Sequence, residues 1–271
     1  HQWQIELRAL NPGGKGLFLQ ETVLEALALR AGTFSGPTIQ RGEAPAGMRT
    51  FSLLCSEPDR HYFRGRSVGR NDLIVFGEDN ELEASSNSPI SICNISIDTD
   101  FLAAAAERWG TDLALNASPV RSMGSGARLA LERAVNNAAR VQRHPALLSS
   151  VKEQAVQDEI VQCLLEVLCG GGDALPPPLN SYRTVRKALD FIRQNSHRPI
   201  SLPELSLELG ISSRALQLQF KKHLNASPKK VITQFRLSSL RRALRSRAGE
   251  HTSVSDLAFE YGFSHLSQLA Q

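Results

Sequence analysis

The sequence predicts an α+β protein. The amino-terminal part reads as a β-sandwich or barrel carrying a helical hairpin, the carboxy-terminal part as an all-α domain with two helix-turn-helix motifs. Three observations predict this. Ile90-Ser91-Ile92-Cys93-Asn94-Ile95-Ser96-Ile97 alternates apolar and polar side chains, the signature of a strand with one buried face. Residues 120–169 change to the helical period. Beyond residue 200 a Ser cap, a short apolar helix, a Gly turn and a second helix occur twice, at Gly210 and Gly262. A chain of 271 residues has room for two domains at roughly 100–200 residues each.

Residues 1–117 form the β part. Turn signals punctuate it at Asn11-Pro12-Gly13-Gly14, Ser35-Gly36-Pro37, Ala44-Pro45-Ala46-Gly47, Ser56-Glu57-Pro58-Asp59 and Ser88-Pro89. Between them 51–55 and 73–76 read as strands, while 17–29 fits a strand and a helix alike. Many short strands at this spacing argue for a sandwich or barrel. Arg41-Gly42-Glu43 and Arg64-Gly65-Arg66 read as turns. In the hairpin, residues 120–169, Ala127, Leu131, Ala134, Val135, Ala138 and Val141 keep one helical stripe. Val151, Ala155, Ile160, Cys163, Leu164, Val167 and Leu168 keep a second, with His144-Pro145 between them. Such a hairpin covers the β part, joins two copies into a homodimer, or does both.

The first domain is expected to end at residue 172. Gly170-Gly171-Gly172 stops the helix and Pro176-Pro177-Pro178 prevents another from starting, so 173–180 is a linker. The second domain spans 181–271. Val185, Leu189 and Ile192 place an amphipathic helix first. Ser201 with Glu204 three residues on is a capping box, and Pro203 lies within the first turn. Gly210 ends that helix, and Ser212-Ser213 caps the next, which turns Leu216 and Phe220 inward. The second copy runs from Ser253 through Leu257, Ala258 and Tyr261 to Gly262-Phe263, then Ser264, Leu266 and Leu269. Between the copies Leu237, Leu240 and Leu244 form one stripe of a linking helix and arginines the other. A continuous linker would hold two recognition helices at fixed separation, as suits major-groove segments about 34 Å apart.

Charge is divided between the domains. Residues 181–271 hold 15 basic and 6 acidic side chains, a balance of +9, and the remainder holds 16 and 21, a balance of −5. A basic domain beside an acidic one points to a polyanion, or to a solvated basic face. Cys55, Cys93, Cys163 and Cys169 form no Cys-x-x-Cys pair and read as reduced thiols, with redox sensing by Cys55 or Cys93 a lesser alternative. No apolar run reaches about 18 residues and His1–Glu6 lacks a secretory pattern, so neither membrane insertion nor secretion is expected and the location is read as cytoplasmic. The first domain has only His1, His61 and His144, too few for a metal cluster, and contains no nucleophile elbow, P-loop or dinucleotide fingerprint. Ser125, in Met123-Gly124-Ser125-Gly126, reads as a helix start. Neither an enzyme nor a cofactor is therefore expected. Trp3, Phe51, Phe63, Phe76 and Trp109 are the aromatic pocket candidates and read first as core, so no effector site is assigned.

The residues Ser201-Leu202, Leu205-Ser206, Leu209-Gly210-Ile211-Ser212, Leu216-Gln217, Phe220-Lys221, Ala226-Ser227-Pro228, Arg236-Leu237, Ala258 and Tyr261-Gly262-Phe263 resemble the DNA-binding domain of the AraC/XylS family of transcriptional regulators. Gly262-Phe263-Ser264-His265-Leu266 resembles the subgroup containing the ethanolamine-operon regulator, as does the stretch around Trp3, Leu10-Asn11-Pro12-Gly13 and Gly16 more faintly. The resemblance implies a cupin-like first domain for effector sensing or dimerisation. It also implies promoter DNA as a partner, a small-molecule effector and RNA polymerase as candidate partners, and further residues after Gln271 that complete the second motif. Where the family usually has Gly, this chain has Asn225, which tolerates the left-handed conformation. Carried onto this chain, the DNA-facing positions of the first motif are Ser213, Arg214, Gln217 and Leu218, with Arg suited to guanine, Gln to adenine and Leu218 to a thymine methyl. Lys221, Lys222, Lys229 and Lys230 would meet phosphates. In the second motif the positions are Leu266, Ser267, Gln268 and Gln271. The alternatives are a DNA-binding structural protein without sequence preference and a sensor or interaction protein.

Overall fold

The computed structural model describes residues 3–10, 17–57, 60–77, 79, 81–111, 119–143, 150–170, 180–246 and 253–263. Contacts divide the chain into two compact units, residues 1–7 with 14–177, and residues 8–13 with 178–271. The protein is α+β, with an amino-terminal β-sheet domain and a carboxy-terminal helical one.

The first unit is built on two sheets. One holds β1 (Gln4–Ala9), β4 (Thr38–Glu43), β9 (Glu81–Ser86), β6 (His61–Phe63) and β7 (Arg66–Val68), in that spatial order. The other holds β11 (Val120–Ser122), β8 (Asp72–Val75), β5 (Met48–Leu54), β10 (Ile90–Asp98), β3 (Leu27–Phe34) and β2 (Leu17–Val23). The ambiguous stretch 17–29 is thus the meeting of two antiparallel strands, closed by the Leu24 N–H donating to the Leu27 carbonyl at 2.8 Å. Arg64 and Gly65 both take positive φ, 46° and 77°, and form the two-residue hairpin between β6 and β7. Gly42, by contrast, lies within β4 rather than at a turn.

The alternation of β10 gives each sheet face its own character. Ile95 and Ile97 pack with Leu27, Leu29, Phe51, Leu53 and Leu73 against the helices α1 (Thr99–Arg108), α2 (Ser125–Arg143) and α3 (Ser150–Cys169). The hairpin therefore covers the six-stranded sheet through Leu131, Ala134, Ala138, Ile160 and Leu164. The opposite face joins Ile90, Ile92, Leu54 and Ile74 to Phe63, Phe76, Leu82 and Ala84. Across that inner face the register aligns Glu21, Arg30, Asn94, Ser52 and Ile74 in one transverse row.

Two elements differ from the sequence expectation. Residues 99–108, read as part of the β segment, form α1, because the Asp98 side chain accepts from the Asp100 and Phe101 N–H groups and an alanine run follows. Val120–Ser122, read as the start of the hairpin, forms β11 and pairs with β8. Neither signal has a period long enough to read in isolation.

The second unit contains α4 (Asn180–Gln194), α5 (Leu202–Leu209), α6 (Ser213–Leu224), α7 (Pro228–Ser246) and α8 (Val254–Glu260). Tyr182, Val185, Leu189 and Ile192 of α4, Leu205 of α5, Leu216, Phe220 and Leu224 of α6, and Val231, Ile232 and Phe235 of α7 are all buried. Leu240 with Leu257, Ala258 and Phe263 makes a smaller core where α8 meets α7. No described helix is long and apolar enough to cross a membrane.

Candidate nucleic-acid interface

The first motif is fixed by its ends. Ser201 accepts from the Glu204 N–H at 3.2 Å while the Glu204 carboxylate accepts from the Ser201 N–H, the reciprocal capping box that the sequence signals. Arg198 donates to the same carboxylate at 2.6 Å and holds it below its ordinary pKa. Gly210 closes α5 in the left-handed region at φ 64°. Ser212 caps α6 by accepting from the Ala215 N–H at 3.2 Å. Asn225 ends α6 at φ 49° and ψ 31°, as the sequence reading anticipates for an Asn in place of Gly.

With both ends pinned, the faces of α6 are decided by which side chains enter the core. Leu216, Phe220 and Leu224 are fully buried. His223 joins them, its Nε2 2.9 Å from Ser181 Oγ and its ring edge-on to Tyr182. That rotation leaves Arg214, Gln217, Leu218, Lys221 and Lys222 exposed, with Leu218 63% accessible. Leaving a leucine this exposed forgoes its burial energy, about 1.5–3 kcal/mol for a whole side chain. An exposed leucine alone is ordinary; one flanked by Arg214 and Lys221 is notable.

Arg214, Gln217, Leu218 and Lys221 line one open groove of about 600 Å³. The α6–α7 turn supplies its other wall, Ala226 and Ser227. Lys221 donates to Asn225 Oδ1 at 2.6 Å, which brings its ammonium to that wall. Lys222 is exposed but does not line the groove, and Lys229 is exposed in the first turn of α7. Ser213 is half-buried, with its hydroxyl 3.0 Å from Ser206 Oγ, so it ties α5 to α6. Sequence reasoning missed Ala226 and Ser227. Their signal was the pairing of a left-handed Asn225 with Pro228, which fixes how the turn folds beside α6.

The second motif is described as far as Phe263. Ser253 caps α8 by accepting from the Asp256 N–H, and Gly262 turns at φ 75°. Arg236 of α7 donates from Nε to the Tyr261 carbonyl at 3.0 Å and lies 4.3 Å over the Phe263 ring. Burial lowers its pKa. Leu266, Ser267, Gln268 and Gln271 lie outside the described residues.

The capped pair α5–α6, the Gly210 turn and the repeat at α8 have the form of a known domain. Residues 205–271 match the helix-turn-helix domain family. The chain is 34% identical over 85 residues to the XylDLEGF operon transcriptional activator of Pseudomonas putida. The match covers 31% of this chain and 26% of that one. It is 26% identical over 86 residues to the probable thc operon regulatory protein of Rhodococcus erythropolis, covering 32% and 26%. The chain thus matches about a quarter of the length of these curated relatives. Among solved structures it is similar to the AraC-like transcriptional activator CuxR at TM-score 0.45 and 14% identity, covering 94% of this chain and 91% of that one. It is also similar to unsaturated-fatty-acid-bound ToxT from Vibrio cholerae at TM-score 0.39 and 9% identity, covering 92% and 91%.

Proposed function

We propose that the protein is a sequence-specific DNA-binding transcriptional regulator of the AraC/XylS type. The observation that carries this reading is the face of α6: three apolar side chains anchor it, and Arg214, Gln217, Leu218 and Lys221 share the opposite, open groove. A helix that presents an arginine, a glutamine and an apolar tip together offers matches to guanine, adenine and a thymine methyl in one major groove. Lys221, with Lys222 and Lys229 nearby, supplies phosphate contacts that position without specifying. The helix-turn-helix match and the operon regulators among the relatives support the same reading.

In the proposal the second motif reads an adjacent groove segment through Leu266, Ser267, Gln268 and Gln271. The first unit senses an effector or joins two copies. A homodimer through residues 120–169 would use the outer side of α2 and α3, where Leu129 is exposed, because their inner side is taken by the sheet. Double-stranded promoter DNA is the principal partner, RNA polymerase a second, and the setting cytoplasmic. The protein acts without catalysis or cofactor. The finer placement beside the ethanolamine-operon regulator rests on residues 262–266 and, more faintly, on Trp3, Leu10-Asn11-Pro12-Gly13 and Gly16; of these, 11–13, 16 and 264–266 lie outside the described residues.

The test is selection of binding sites from a random duplex pool by the full chain, repeated with Arg214→Ala. The expected result is an enriched motif that loses one specified position in the variant, with affinity for the selected site reduced roughly 5- to 150-fold, the range of one bidentate base contact. Lys221→Ala should weaken binding uniformly and reduce the salt slope by about 0.9. Binding without any enriched motif would instead favour a structural DNA-binding role.

A further inference from the structure

We infer that the cavity in the first unit is a binding site for a small, uncharged, largely apolar molecule carrying a hydrogen-bond acceptor, such as an aryl ketone. The cavity measures about 380 Å³, within the range of small-molecule sites. Its floor is the inner face of the six-stranded sheet at Gly32, and Trp3, in the segment leading into β1, and Gln40, in β4, also line it. Gly32 is what leaves room. A Cβ there would stand 3.3 Å from Leu19 Cδ2 and 3.5 Å from the Phe34 ring, closing the floor.

The polar atoms of the lining define the chemistry. Gln40 is 5% exposed and its Nε2 has no hydrogen-bond partner among the described residues; the same holds for the buried Trp3 Nε1. Both are donors on residues that line the cavity, and a buried donor left unmet is destabilising, so a ligand whose acceptor reaches them on binding is favoured. The one cation in the lining is already engaged. Arg30 donates from Nε to the Glu21 carboxylate at 2.8 Å and pairs with it again from Nη2 at 2.6 Å. The carbonyl oxygen of Asn94 is likewise engaged, accepting from Ser52 Oγ at 2.5 Å. A carboxylate ligand would have to share that guanidinium beside Glu21, like charge against like charge, whereas a carbonyl that reaches the Gln40 or Trp3 donor carries no such penalty. Trp3, edge-on to Phe76, and Phe34 supply apolar ring surface.

This inference deepens the sensing role proposed for the first unit and rests on that reading for its regulatory meaning. The binding itself is tested without DNA, so its failure leaves the nucleic-acid assignment standing. The full chain is titrated calorimetrically with 2-acetonaphthone and with its near-isostere 2-naphthoate. The ketone should bind at one saturable site, and the carboxylate at least tenfold more weakly. Gln40→Leu should weaken ketone binding about tenfold with the unfolding midpoint unchanged. Gly32→Val should remove it, and should that variant fail to fold, Gln40→Leu carries the test alone. No saturable ketone binding, carboxylate binding as tight as the ketone's, or ketone binding unchanged in Gln40→Leu would each overturn the inference.

Discussion

The two units differ in which buried polar groups are met. In the helical unit several pair with one another, while Gln219 Oε1 and Arg236 Nη2 have no hydrogen-bond partner among the described residues. Ser206 meets Ser213 at 3.0 Å, Ser239 donates to Ser196 at 2.9 Å, and the buried His223 meets Ser181. In the β unit His61 is fully buried with neither ring nitrogen partnered among the described residues, and the donors of Gln40 and Trp3 are likewise unmet. Matched groups fix one geometry, which suits a surface that must present four side chains at set positions. Unmatched groups beside a cavity store free energy that a ligand can release. The β unit also pairs the buried Thr50 and Ser96 hydroxyls at 2.9 Å, so the difference lies in the groups beside its cavity and not in the unit as a whole.

The largest expected effect concerns His61. Burial drives its pKa down to about 4, so the native state stays neutral where the unfolded chain, titrating near 6.5, takes up a proton. Stability is therefore complete above pH 6.5 and declines as pH falls toward 4, by about 3 kcal/mol at the lower end. Urea unfolding between pH 7 and pH 4.5 measures this, and His61→Phe should flatten the slope. A slope that survives in His61→Phe breaks the contrast between the units.

Next in size is Gly262→Ala in the helical unit. Its φ of 75° is strained for alanine, and a Cβ would stand 2.7 Å from Pro199 Cδ and 3.1 Å from Arg236 Nη2. Denaturant unfolding should show a loss of about 2–3 kcal/mol. Gly210→Ala has the same strain but open space around it, so about 1 kcal/mol is expected. Equal losses would mean that the Pro199 overlap relaxes freely.

Two smaller effects sharpen the comparison directly. Ser181→Ala strips His223 Nε2 of its partner and should cost about 1–2 kcal/mol by thermal unfolding. Gln40→Leu removes a donor that has no partner among the described residues and should be neutral or slightly stabilising. If Gln40→Leu destabilises as much as Ser181→Ala, the two units do not differ in the way described.

The caps and inward faces of the first motif were legible in the sequence because they are local: Ser201 with Glu204, Gly210, Ser212, and Leu216 with Phe220 all lie within a few residues of what they bond or pack beside. The alternation of β10 was legible for the same reason. Helix α1 was hidden because its cap, Asp98, is also the last residue of a strand. The groove beside α6 was half legible: Arg214, Gln217, Leu218 and Lys221 follow from helical phase, while Ala226 and Ser227 come from the next turn. The cavity of the β unit was not legible. Trp3, Gly32, Gln40 and Asn94 lie on separate stretches of chain, and only strand order and register bring them together. Of the aromatic candidates, Trp3 lines the cavity, Phe51, Phe63 and Phe76 are core, and Trp109 is 51% exposed.

The grip of Arg236 on Tyr261 and Phe263 makes α7 a gear shaft as well as a spacer. Its 19 residues begin beside the α6 turn and carry the second motif on the stripe of Leu237, Leu240 and Leu244. One residue inserted after Thr233 would lengthen the shaft by only about 1.5 Å but turn everything mounted beyond it by about 100°. Two reading heads so mounted would lose their common DNA face through rotation long before they lost it through distance.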